Sequence, residues 1–127
     1  MGKATYIQAM TYHPSAEEID LAAVMATLGD STRLAILGHL DRQDGRPLMC
    51  SDFTALASKS NLTYHLGRMR ESGIIRLEKS GTCKMITIRR DDLDARFPGF
   101  LDSVLKAAEN MDLPALECED EDETVEA

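Results

Sequence analysis

The chain contains no tryptophan, and aromatic residues make up only 5% of its 127 positions, so its core has to be built mainly from aliphatic side chains. Cysteines number three, Cys50, Cys83 and Cys118. Their odd count and wide spacing exclude a disulfide framework and point to reduced thiols in a cytoplasmic protein. The three histidines, His13, His39 and His65, are too scattered to form a ligand cluster, so no metal and no cofactor is expected. Long apolar runs are missing as well. The longest, LAAVMATL at 21–28, is too short to cross a bilayer, and the polar N-terminus shows no secretory signal, so no membrane association is expected. There is no nucleophile elbow, phosphate-binding glycine loop or paired-acid arrangement, and Asp91, Asp92 and Asp94 read as a helix start, which argues against an enzyme.

Positive charge is also in deficit. Fourteen Lys and Arg face 22 Asp and Glu, a net charge of −8, which at first argues against a nucleic-acid partner. The distribution reverses that argument. Eight of the acids lie in residues 112–127, where there is no base, so the remaining body is neutral. Within 59–90, eight bases oppose only Glu71 and Glu78, a local charge of +6. The protein is thus a neutral body with one basic region and an acidic tail.

The length fits one domain. Residues 1–14 carry no period and read as an N-terminal arm, 15–111 as the folded domain, and 112–127 as an acidic, disordered tail. Ser15 and Glu18 form a capping box before a helix over about 16–28 that is apolar around most of its girth, which predicts burial, in part against a second subunit. Asp30 or Ser31 caps a second helix with Leu34, Ile36, Leu37 and Leu40 inward. A turn-rich break, a short strand at PLM and a short third helix, SDFTALA, follow, with Phe53 and Leu56 facing in. A fourth helix begins at Ser60. Leu62, Leu66 and Met69 form its inner face, and Gly73 takes the left-handed position after its end. IIRLEKS and TCKMITIRR, separated by Gly81, predict a β-hairpin. Asp91 or Asp92 caps a last helix that Pro98 can interrupt. The order α-α-(β)-α-α-β-β-α, mainly α with a small hairpin, is that of a winged helix-turn-helix.

With those leucines inward, the outer face of the fourth helix carries Asn61, Tyr64 and Arg68, with Lys59, Ser60 and Thr63 near its start. Asn can bond adenine edges, Thr and Tyr can bond phosphate or meet a thymine methyl, and Lys and Arg neutralise phosphate or read guanine. Lys79 and Lys84 flank the hairpin tip beside Gly81. These eight residues are the candidate contacts to double-stranded DNA. A solvated polar face is the plainer alternative, and the local +6 and the basic hairpin weigh against it. Cys50, placed at a helix N-terminus where a dipole lowers a thiol pKa, is a redox-switch candidate; a structural, half-buried cysteine is the alternative.

Three segments, LGDSTRLAIL (28–37), SKSNLTYHLGRMRESGIIRLEKSGTCKMITI (58–88) and RRDDLDARFPGFLDSVL (89–105), resemble the arsenic-repressor (ArsR) family of bacterial winged-helix regulators. The resemblance runs from Leu21 to Leu105. It implies a cytoplasmic homodimer joined through its first and last helices, which represses from operator DNA and lets go when an effector arrives. The chain departs from the metal-sensing members. Their Cys-x-Cys-Asp is MCSDF here, and residues 91–110 hold no His, so neither usual metal site carries over and the effector stays unidentified. The alternative on the same scaffold is a protein–protein interaction module without DNA binding, for which the net acidity speaks.

Overall fold

The computed structural model describes residues 12–81, 83–111 and 113, with the side chains of Ser80 and Cys83 excepted. Most of the expected arm and all of the expected tail but residue 113 lie outside this range, as do Cys118 and the Cys83 side chain.

The chain starts differently from the single helix predicted over 16–28. The Ser15 N–H does donate to Glu18 Oε1 at 2.8 Å, but the result is one 3-10 turn, Ala16–Glu18. Together with the Tyr12 hydroxyl, that N–H holds the Glu18 carboxyl below its ordinary value. The chain then extends through Ile19, whose side chain enters the core while its carbonyl accepts from Arg96 Nη2 at 2.6 Å. Asp20 restarts the helix, accepting from the Ala23 N–H at 3.1 Å, and α1 runs Leu21–Leu28. A long-range insertion and a second cap defeat the local helical pattern here.

Asp30 caps α2 (Ser31–Asp41), its Oδ1 taking the Thr32 and Arg33 N–H groups. α1 and α2 meet at 102°. Strand β1 is Leu48–Met49, as PLM suggested. The third helix expected at SDFTALA is instead a 3-10 turn, Cys50–Phe53, although Phe53 is buried and Leu56 packs on the core as anticipated. Helix α3 spans Lys59–Glu71. Its cap is Ser58, whose Oγ accepts from the Asn61 N–H at 3.2 Å, and not Ser60. Starting two residues earlier adds about half a turn, opened by the Leu62 N–H to Ser58 O bond at 2.8 Å.

At its other end Gly73 has φ +88, its N–H bonds Arg70 O, and the Ile74 N–H reaches Met69 O. This pair of bonds is a Schellman closure, and it directs the chain straight into β2 (Ile75–Ser80). Gly81, at φ +67, turns β2 into β3 (Cys83–Ile88). The sheet is antiparallel in the order β1-β3-β2. The free edge of β2 is held in part by His13, whose Nε2 accepts from the Leu77 N–H at 3.0 Å.

Helix α4 (Arg90–Arg96) begins as soon as β3 ends, so its cap is Arg89 and not Asp91 or Asp92, which lie in its first turn. Arg89 is buried because it is a strut: its guanidinium bonds Pro14 O at 2.7 Å and Asp92 at 2.8 Å. Pro98 and Gly99 break the chain as expected before α5 (Phe100–Glu109), which buries Leu101 and Leu105. Arg90 bridges Asp41 at the end of α2 to Asp102 on α5.

Among the described residues the buried core is mainly aliphatic with one aromatic, Phe53, and Phe97 and Phe100 pack against it half-buried. Leu62, Leu66 and Met69 of α3 lie in it alongside Ile36, Ile74 and Ile86. Each such side chain contributes about 1.5–3 kcal/mol of burial, which is what fixes α3 against the sheet. The fold is a winged helix-turn-helix. Among the described residues no single helix is long and apolar enough to cross a membrane.

Candidate nucleic-acid interface

With its apolar stripe turned into the core, α3 has to present the opposite side to solvent. Lys59, Ser60, Asn61, Thr63, Tyr64 and Arg68 are all exposed, Tyr64 at 59%. The Thr63 hydroxyl donates back to Lys59 O at 3.0 Å. No acid occurs between Lys59 and Arg70. The first N–H groups of the helix have no intrahelical carbonyl to bond, and together with the dipole they favour an anion there. At 13 residues the helix is about 20 Å long, enough to lie along a major groove.

The hairpin adds a second basic element. Lys79 and Lys84 are cross-strand partners. By strand alternation they share the face of Ile75, Leu77, Ile86 and Ile88, the face on which the helices pack. Like charges directly opposite each other cost stability, so this pair makes sense where a polyanion offsets the repulsion. Lys79 is exposed and Lys84 half-buried. The structure therefore brings the six helix residues onto one exposed surface and places the two lysines at the hairpin tip on the helix-bearing side of the sheet.

Residues 28–78, which hold α2, α3 and the start of the hairpin, match the family described as a helix-turn-helix domain. Over 101 residues, covering 78% of this chain and 99% of the relative, the sequence is 30% identical to YceK of Bacillus subtilis (strain 168), an uncharacterised HTH-type transcriptional regulator. The chain belongs to the helix-turn-helix transcriptional regulators. Helix α3 lies within the matched residues; in helix-turn-helix proteins the second helix of the motif is the one directed at DNA.

Cys50 does not meet the premise on which it was singled out. The helix behind it is one four-residue 3-10 turn, and Asp52 lies within that turn. Burial pushes the Cys50 thiol up from its ordinary value, while Lys84 pulls weakly the other way. His65 is half-buried, and its Nδ1 lies 2.9 Å from Arg33 Nη1. Among the described residues no group of His, Cys, Asp and Glu is arranged to hold a metal ion.

Three contributors escaped the sequence reading. Ser58 was hidden by Ser60, a residue of equal capping propensity two positions on. Arg89 looked like one more base in the wing. Arg33 sat in a segment read only for its cap and its leucines, although an arginine near the start of an otherwise apolar helix is itself a signal of a buried bond.

Proposed function

We propose that this regulator is a homodimeric, cytoplasmic transcriptional repressor of the ArsR type, which grips double-stranded operator DNA with α3 and the β2–β3 hairpin and releases it in response to an effector other than a metal at the family's usual sites. The observation that carries this reading is the exposed face of α3, free of acids from Lys59 to Arg70, beside a like-charged lysine pair, in a chain whose net charge is −8. Such a concentration of cations raises encounter rates with DNA and supplies its salt-dependent affinity. A gel-shift with the duplex upstream of the protein's own gene tests it. A shifted band that survives excess random duplex is expected; binding erased equally by specific and random competitor counts against an operator.

The homodimer is supported by α1, where Leu21, Ala22, Ala23, Met25 and Ala26 are exposed, Met25 at 56%. The helix was expected to be buried, yet in a single chain only Val24, Thr27 and Leu28 are. The remaining apolar face needs a cover, and a second α1 related by a two-fold axis provides one and sets two α3 helices for two half-sites. Met25→Glu is expected to convert the protein from dimer to a 14.0 kDa monomer in sedimentation and to weaken operator binding more than about tenfold, since only one half-site is then engaged.

A further inference from the structure

Arg33 lies at the start of α2, is only 9% exposed and carries a charge that burial penalises by several kcal/mol unless its bonds compensate. Its bonds reach three elements. Nε donates to Thr27 O in the last turn of α1 at 2.5 Å. Nη2 faces Asp30, the cap of α2, at 4.0 Å. Nη1 reaches His65 Nδ1 on α3 at 2.9 Å. An arginine can only donate, so Nδ1 must be the acceptor and the imidazole must be neutral with its proton on Nε2. That bond is directional where the apolar underside of α3 is not. Leu62, Leu66 and Met69 hold the helix on the core through burial, which is not directional, so a directional bond adds to what sets the roll of the helix about its axis. A roll of about 10° displaces side-chain tips ~6 Å from the axis by ~1 Å, more than a bidentate base contact tolerates. Asn61 and Arg68 stand four residues before and three after His65, on the neighbouring surface of the same helix.

We propose that Arg33 is a positioning residue for operator recognition: acting through His65, it sets the roll of α3 and ties that roll to the last turn of α1. This rests on the DNA-binding reading above. α1 is the helix whose exposed face is assigned to the dimer, so the same guanidinium makes half-site reading depend on how α1 is held.

The test is a double-mutant cycle read by fluorescence anisotropy on the upstream duplex and on a scrambled duplex of equal length, below the melting temperature of every variant. His65→Leu and Arg33→Met are each expected to weaken binding to the upstream duplex about tenfold and to the scrambled one less than about twofold. The double variant is expected to lose about tenfold again, not a hundredfold, because both changes cut one link. His65→Asn, which keeps an acceptor at the δ position, is expected to stay within about threefold of the parent. His65→Leu and His65→Asn both remove the ring that packs beside Tyr64, so the difference between them reads the link alone, even where Arg33→Met does not fold. Multiplying losses, equal losses on both duplexes, or a tenfold loss in His65→Asn would overturn the coupling alone. A parent that does not discriminate between the duplexes would overturn the operator reading and the coupling with it.

Discussion

Gly73→Ala is expected to be the most damaging small substitution in the domain, lowering stability by about 3 kcal/mol. Two costs combine. The residue sits at φ +88, where a Cβ costs about 1–2 kcal/mol. The new methyl would also lie 2.5 Å from Ile19 Cγ1 and 2.8 Å from Cδ1, and Ile19 is 1% exposed, so relief means repacking the core, an overpacking cost of about 1–3 kcal/mol. At roughly 4–8 °C per kcal/mol for a domain of this size, the melting temperature should fall by more than about 10 °C by circular dichroism. Gly45→Ala is the internal control: its φ is +89, but nothing lies within 4 Å of the added Cβ. It should therefore show the backbone cost only, and the difference between the two variants measures the crowding by Ile19. Equal losses would mean that Ile19 yields without resistance. Because Gly73 joins α3 to β2, this loss also bears on function: the Schellman closure that the methyl strains is what fixes helix and hairpin relative to each other.

Gly73 also shows why parts of this fold were legible in sequence. A glycine after a basic last turn and before an aliphatic run is a local signal, and local signals were read correctly: the leucine stripe of α3, the Asp30 cap, the Gly81 hairpin and the Pro98 break. The differences at Ile19 and Arg89 have another cause. Ile19 is extended because it fills the space beside Gly73, fifty-odd positions away. Arg89 caps α4 because its guanidinium is committed to Pro14 and Asp92 while its N–H bonds Ile74 O. The dipole argument for Cys50 assumed an α-helix behind it, where the chain makes a single 3-10 turn. For Ile19 and Arg89 a contact distant in sequence decided between local options of nearly equal energy. The candidate site was legible for the complementary reason. Its side chains are defined by what lies beneath them, and three apolar residues at i, i+4 and i+7 suffice to say which face of a helix is outward.

Whether that outward face reads base sequence or only holds the backbone is separable by experiment. Replacing Asn61 and Arg68 together by alanine is expected to weaken binding to the upstream duplex by about 3 kcal/mol, more than a hundredfold, because each bidentate base contact is worth about 1–3 kcal/mol. Binding to a scrambled duplex should fall far less, and only through the cation lost at Arg68, so the slope of log affinity against log salt should flatten by about 1 unit. Lys79→Ala with Lys84→Ala is expected to behave differently. Both duplexes should weaken together and the slope should flatten by about 2 units, since lysines at a hairpin tip act on phosphate and not on base edges. Neither pair contributes to the core, so melting temperatures should stay near that of the parent, and the lysine variant should gain slightly from relief of the repulsion between positions 79 and 84. Matching losses on the two duplexes after Asn61 and Arg68 are removed would show that α3 contacts only the backbone, and would move sequence reading to some other part of the chain.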